Sequence, residues 1–299
     1  MMSVDLVRYY QFLLMHFDRF RHEGVQGDLR TLIPIKDIRR RKRVKSVLEK
    51  ALGFSANSAV RKDRMGSADS TASEGGAENA GGANSGPILE FGVYNGRTIR
   101  YMANMLPDTK LYGFDSFEGF PDDGRSDWQA DFSVERMPDV PDNVTLIKGY
   151  FDESLPKFLY ETPALPSPRL LHIDCDLYSS TKVVFDHVGP LLDAGNIIVF
   201  DELLHYGSFH SNEFLAFFEF LEKRGLSFRW LVKVGKLMPL EDLLNQKANH
   251  ILPSMIDLRV LGYHQNVAIE LTQRPKSYAD DLAKYRSKAE DLAKLYPLE

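Results

Sequence analysis

From residue 88 onward, short apolar runs alternate with stretches of helical periodicity, and this alternation restricts the fold more than any other feature of the chain. The runs at 88–93 (ILEFGV), 110–114 (KLYGF), 144–148 (VTLIK), 169–174 (RLLHID), 196–201 (NIIVFD), 228–234 (FRWLVKV) and 266–271 (NVAIEL) are predicted strands. Helical patterns fill 97–106, 152–160, 179–192 and 211–224, with Phe214, Phe217, Phe218 and Leu221 as a core stripe of the last. Apolar strands joined by helices form βαβ units, which predicts an α/β fold: a doubly wound, mainly parallel, seven-stranded sheet covered on both faces. No long helical pattern separates the last two strands, so a closing antiparallel pair is expected.

The remaining chain is organised around that unit. Residues 4–22 have the spacing of an amphipathic helix. The run KDIRRRKRVKSVLEK (36–50) is dense in cations, with Ile38, Val44, Val47 and Leu48 on an apolar side. It reads as a solvated helix face, or as a surface for anions, a partner or a targeting receptor. Residues 66–86 are Gly/Ala/Ser/Asn-rich and have almost nothing to bury, which predicts a flexible linker. The expected division is a helical N-terminal region (1–65), the linker (66–86), a main domain (87–275) and a C-terminal helix (276–299) that is exposed and charged over 276–295. Residues 236–264 are longer than a simple connection and suit a lid or a subunit contact.

Composition excludes some classes of function. A net charge of −5 gives no general attraction to nucleic acid or anionic membranes. No apolar run approaches the roughly 20 residues that span a bilayer. The single cysteine, Cys175, rules out an intrachain disulfide and suits a reducing, cytoplasmic setting.

Chemistry-bearing residues collect at predicted strand ends. ILEFGVYNGRT (88–98) is strand, glycine turn and helix start, the corner at which nucleotide-like ligands sit, although such turns also occur with no ligand. Tyr94 occupies the place of the second glycine in a dinucleotide turn, which disfavours close approach of a pyrophosphate. The second strand runs into GFDSFEGFP (113–121). Asp115 is placed either to accept hydrogen bonds from a ribose diol or to satisfy its own turn. After the third strand, Gly149, Tyr150 and Phe151 shape a flat pocket or simply start a helix. The fourth and fifth strands end in HIDCDLYSST and IIVFDE, which gather Asp174, Asp176, Asp201 and Glu202. Crowded carboxylates need a proton, a cation or a cationic substrate, and oxygen-only ligands suit Mg²⁺. Cys175 reads as a small buried residue. His205 and His210 follow the acidic pair, as general base or solvated loop residues. Trp128 and Phe132 line an acceptor pocket or cap the sheet.

EFGVYNGRT, YGFDSFEGFP, HIDCDLYSST and IIVFDE together resemble the macrocin O-methyltransferase branch of the class I S-adenosylmethionine-dependent methyltransferases, in order over about Pro87 to Phe220. The resemblance implies the Rossmann-like methyltransferase sheet and O-methylation of a hydroxyl on a small molecule or sugar. It implies an S-adenosylmethionine site formed by Glu90, Gly92, Tyr94, Gly96, Asp115, Ser116, Gly149, Phe151 and Asp174. It also implies a Mg²⁺ site at Asp176, Asp201 and Glu202, and favours a homo-oligomer. Asp176, His205 and Glu202 are the candidate catalytic residues. Two departures stand out: Asp201-Glu202 replaces the Asp-Asp usual in metal-using members, and Arg97 stands where a further glycine is frequent. Two alternatives follow: a metal-independent enzyme with His205 or Glu202 as base, or a non-catalytic module of the same fold.

Overall fold

The computed structural model describes residues 4–26, 47–53, 86–122, 132–245 and 262–298. Trp128 and most of the basic run, of the linker and of the 236–264 insert lie outside these residues.

Eight strands form one sheet: β1 (Val25–Gln26), β2 (Ile88–Phe91), β3 (Leu111–Asp115), β4 (Val144–Lys148), β5 (Leu170–Ile173), β6 (Ile197–Phe200), β7 (Leu226–Lys233) and β8 (Val267–Gln273). Their order is β1-β7-β8-β6-β5-β2-β3-β4. All pairings are parallel except those of β8, which runs antiparallel between β6 and β7. The seven expected strands are β2 to β8, and their closing antiparallel pair is β7 and β8. The two-residue edge strand β1 was not anticipated, since Val25 and Gln26 are exposed and have no pattern of their own. β2, β5 and β6 are buried at every position, which is why they read as unbroken apolar runs.

Side chains alternate across the sheet and divide the core into two layers. On one face Leu89, Phe91, Phe114, Leu171, Ile173 and Phe200 belong to a large cluster. It is completed by α1 (Leu6–Phe20), α4 (Phe151–Glu161), α5 (Tyr178–Val188) and α6 (Glu213–Arg224). On the other face Ile88, Leu111, Leu170 and Ile197 pack with helical residues 47–53 (α2) and α3 (Arg97–Met105). Val47 and Leu48, on the apolar side read from the sequence, are buried there.

The N-terminal helix is part of the first layer. Trp230 Nε1 donates to the His16 carbonyl at 2.8 Å, and the Lys233 ammonium donates to the Phe20 carbonyl. Tyr9 Oη donates to the His210 carbonyl at 2.6 Å, and its ring packs on Phe218. The C-terminal stretch departs from the exposed helix expected of it. It is two helices, α8 (Tyr278–Ala283) and α9 (Arg286–Leu295), and Tyr278, Leu282, Ala289 and Leu292 are buried. Both helices pack on α1. Their charged faces point to solvent, but a thin apolar edge is enough to seat them. Within the long insert, α7 (Leu240–Leu244) buries Leu240, Leu243 and Leu244.

Candidate active site

The strand order reverses between β5 and β2, since successive strands are added on opposite sides of this point. In open parallel sheets ligands bind outside the carboxyl ends of the strands at such a position. A cavity of about 360 Å³ lies there. Gly92 and Tyr94 after β2, Asp115 and Ser116 after β3, Tyr150 and Phe151 after β4, and Asp174 to Asp176 after β5 all line it.

The glycine turn follows from two constraints. Gly92 has a φ of +93°, and a Cβ there would sit 1.7 Å from the Asp174 carbonyl oxygen, so only glycine lets β2 and β5 meet. Gly96 starts α3 in the left-handed region. Between them Tyr94 also takes a positive φ, 49°, and is held there by Asp115. Asp115 Oδ2 accepts the Val93 and Tyr94 N–H groups, both at 2.7 Å, and Oδ1 accepts the Phe117 N–H at 2.6 Å. A carboxylate offers about four acceptor positions. Three are filled by the backbone, so Asp115 retains room for one ligand hydroxyl rather than the two expected of a diol clamp. Asp115 thus satisfies its own turn, as one of its two readings has it, and also lines the cavity. Ser116 Oγ donates to the Gly119 carbonyl at 2.6 Å and accepts the Glu118 N–H.

Three residues expected at the cofactor lie off the cavity. Glu90 is fully buried beneath the turn, its Oε1 3.0 Å from Nδ1 of His172, its register partner on β5. Burial pushes its carboxyl up, and the His172 contact opposes this. Gly96 faces Pro138 and Arg100, and Gly149 (φ +135°) donates its N–H to the Asp115 carbonyl. These three shape the backbone under the cavity without lining it.

The acidic cluster is present and buried. Burial first, then the charges of Asp201 and Asp176, push the Asp174 carboxyl well up. Asp176 lines the cavity with a φ of +61°; burial pushes its carboxyl up, and a hydrogen bond with Glu202 opposes this. Burial and the neighbouring Asp176 charge hold Glu202 well above the ordinary range. Asp201 Oδ1 accepts a hydrogen bond from the Asn266 amide. Among the described residues no three His, Cys, Asp or Glu side chains are arranged to hold a metal ion. Asp176, Asp201 and Glu202, the expected Mg²⁺ ligands, act on one another within this buried cluster.

His205 departs from the expected base. Its Nδ1–H donates to the His264 carbonyl, and its Nε2 accepts the Met238 N–H at 3.1 Å. Burial lowers its pKa to about 4, and it does not line the cavity. It ties the loop after β6 to both ends of the β7–β8 connection. Cys175 is buried as expected, with Sγ 3.3 Å from Thr181 Oγ1.

Some site residues were not singled out from the sequence. Ser179, Ser180 and Val183 of α5 line the cavity, as do Phe120, Pro121 and Asp122. Phe132, which the sequence did offer as lining a pocket or capping the sheet, lines the cavity and packs edge-on against Tyr94 at 5.5 Å and against Phe120 at 5.2 Å, forming an aromatic wall. Asn212 Nδ2 donates to the Asp176 carbonyl at 2.7 Å and braces its left-handed backbone. No local signal marks Asn212, because its partner lies on a different strand end.

Residues 89–203 match a family model described as a methyltransferase domain. The 8-demethyl-8-(2,3-dimethoxy-alpha-L-rhamnosyl)-tetracenomycin-C 4'-O-methyltransferase of Streptomyces olivaceus is 26% identical over 144 residues, 39% of this chain and 52% of that protein. The chain thus spans about half the length of this curated relative. Similar solved structures include CalS11, a calicheamicin methyltransferase, with 21% identity over 75% of this chain and 79% of that one and a TM-score of 0.43. The O-methyltransferase NovP has 15% identity over 90% and 100% of the two chains and a TM-score of 0.42.

Proposed function

We propose that this protein transfers a methyl group from S-adenosylmethionine to a hydroxyl of a small molecule or a sugar. The observation that carries this reading is the cavity at the β5/β2 reversal, bounded by Gly92, Asp115 and Asp174. The methyltransferase-domain match over residues 89–203 covers the same strand ends. The Streptomyces olivaceus relative, by its name a 4'-O-methyltransferase of a rhamnosylated tetracenomycin, supports a sugar hydroxyl on a natural product as acceptor.

The residues present suit the donor. Gly92 and Tyr94 would run beneath its methionine and ribose, and the remaining acceptor position of Asp115 would take one ribose hydroxyl. Tyr150 and Phe151 would flank the adenine, and Asp174 would face the methionine ammonium. When bound, the donor supplies a methyl group already activated on a sulfonium, so the protein has to contribute mainly alignment and a destination for the acceptor proton. Asp176 is the base in this reading, because its carboxyl lines the cavity and burial raises its proton affinity. Glu202 is its hydrogen-bond partner. His205 has no part in that transfer, since both ring nitrogens are engaged. If Mg²⁺ is used, Asp176, Asp201 and Glu202 would hold it as oxygen ligands, and the ion would supply a lowered pKa to the acceptor hydroxyl.

Calorimetry with S-adenosylmethionine and S-adenosylhomocysteine tests the donor site, and no binding at about 1 mM would sink the reading. Mass spectrometry of extracts incubated with methyl-labelled donor, with wild type and Asp176→Asn, tests the transfer. Turnover unaffected by Asp176→Asn would remove Asp176 as base.

A further inference from the structure

We propose that Tyr9 of the N-terminal helix is a positioning residue for methyl transfer, acting on Asp176 through the loop 203–212. This inference rests on the methyl-transfer reading above. α1 donates side-chain hydrogen bonds in two directions. Tyr10 Oη donates to the Tyr296 carbonyl at 2.6 Å and Gln11 Nε2 to the Leu282 carbonyl at 3.0 Å, which seats α1 on the C-terminal helices. Tyr9 Oη instead donates to the His210 carbonyl at 2.6 Å, within the connection from β6 to α6. Phe17 adds a ring contact with Phe209 of the same loop at 6.0 Å. Tyr9 and Phe209 are fully buried, so the junction is shielded from water.

The loop needs such ties. His205 (φ 62°) and Ser208 (φ 64°) both lie in the left-handed region, which non-glycine residues hold only where their surroundings over-determine it. At one end His205 is fixed by the Met238 N–H and the His264 carbonyl. Toward the other end Ser211 Oγ donates to the Ser208 carbonyl at 3.0 Å, a bond internal to the loop, and Tyr9 and Phe17 join that end to α1. Two residues beyond His210, Asn212 Nδ2 donates to the Asp176 carbonyl at 2.7 Å. Asp176 is itself the centre of a tight turn: its φ is +61°, and the Leu177 N–H bonds to the Cys175 carbonyl at 2.6 Å across it. Such a three-residue turn is rare and strained. The direction of the Asp176 carboxyl therefore depends on Asn212, and the place of Asn212 depends on where the loop is pinned. Through the bonds Tyr9–His210 and Asn212–Asp176, a hydroxyl on α1 thus orients the group that takes the acceptor proton. A misplacement of about 1 Å slows a reaction by about a hundredfold.

Tyr10→Phe is the matched control for Tyr9→Phe, because it deletes the same hydroxyl from a bond of the same length that points to the C-terminal helices instead. The full chain is compared as wild type and as each variant. The measurements are label transfer from methyl-labelled S-adenosylmethionine to the product that wild type forms in extract, S-adenosylhomocysteine calorimetry, denaturant melts and amide hydrogen exchange. Both variants are expected to lose similar stability, since each loses one hydrogen bond to a carbonyl. Tyr9→Phe is expected to slow label transfer at least about tenfold, with S-adenosylhomocysteine affinity within about twofold of wild type. It is also expected to speed amide exchange in 203–212, whereas Tyr10→Phe keeps transfer and that exchange at wild-type levels. Tyr9→Phe combined with Asn212→Ala should transfer no more slowly than Asn212→Ala alone, because both act on Asp176 by one route. Equal transfer by the two single Tyr→Phe variants would overturn the inference. So would unchanged exchange in 203–212, additive losses in the double variant, or a loss of transfer matched by a loss of S-adenosylhomocysteine affinity. A wild type that neither binds S-adenosylhomocysteine nor transfers label removes the methyl-transfer reading; the same variant results beside a wild type that does both remove only this inference.

Discussion

Asp115 Oδ2 accepts the Tyr94 backbone N–H at 2.7 Å, so the carboxylate that closes β3 also sets the backbone of the turn that closes β2. The same oxygen takes the Val93 N–H. Asp115→Asn keeps the shape but replaces one acceptor oxygen with a donor, leaving at least one of three N–H groups facing it. We expect a loss of about 1–3 kcal/mol in stability, typical of a hydrogen bond to a charged group. S-adenosylhomocysteine affinity should fall at least about tenfold. Denaturant melts and calorimetry measure the two effects, and unchanged affinity would mean that the turn forms without the carboxylate.

Gly92→Ala isolates the close approach of β2 and β5. Its Cβ would lie 1.7 Å from the Asp174 carbonyl oxygen, so the strands must separate. Gly195 has a nearly equal φ of +96° but open space around it. Gly195→Ala should therefore cost only backbone strain, about 1–3 kcal/mol. Gly92→Ala should cost more than about 4 kcal/mol and abolish donor binding. Equal melting temperatures for the two variants would refute the steric account.

His205→Ala separates a strut from a base. Removing the ring takes one hydrogen bond each from the His264 carbonyl and the buried Met238 N–H, at about 1–3 kcal/mol each. The prediction is a clear loss of stability with the pH dependence of turnover unchanged. A shifted pH profile at full folding would restore His205 as the proton acceptor.

His16 should make the protein acid-sensitive. Its ring is fully buried, stacked on Phe228 at 3.9 Å and packed against Phe12, with neither ring nitrogen bonded. Burial, helped by the nearby Arg19 charge, lowers its pKa well below 6.5. The unfolded chain then binds a proton that the folded chain refuses, so this stabilisation is complete above pH 6.5 and is lost as pH falls below it. The slope is about 1.4 kcal/mol per pH unit until the folded pKa is reached. His16→Leu should remove that slope, seen as a stability difference from wild type that changes sign or shrinks between pH 7.5 and 5. A pH-independent difference would show that His16 does not titrate on unfolding in this range.

Asn212→Ala should slow methyl transfer without weakening the donor. Its amide holds the Asp176 carbonyl at 2.7 Å while Asp176 sits at a φ of +61°. Freed of this brace, Asp176 can relax and move its carboxyl. We expect turnover to fall about ten- to hundredfold at unchanged S-adenosylhomocysteine affinity. Equal losses in both would point to general unfolding instead.

The central strands, the glycine turn and the acids at the strand ends are legible in the amino-acid order because each follows from local chemistry. A strand buried on both faces must be apolar throughout, as ILEF, LLHI and IIVF are. A turn with positive φ beside another backbone must use glycine, as at Gly92. What these residues touch is another matter, because contacts depend on the sheet order. Glu90 belongs to the glycine turn by position, yet its neighbour is His172, met only because β2 lies beside β5. His205 sits next to the acids in the chain, but Met238 and His264 claim both of its nitrogens once β7 and β8 fold back beside β6. The charged C-terminal segment has an apolar edge too thin to announce burial, and only the presence of α1 beside it makes burial favourable. Local propensity and burial pattern are properties of a few neighbouring residues, whereas a hydrogen-bond partner many residues away exists only after the strands have been ordered and the helices laid on them.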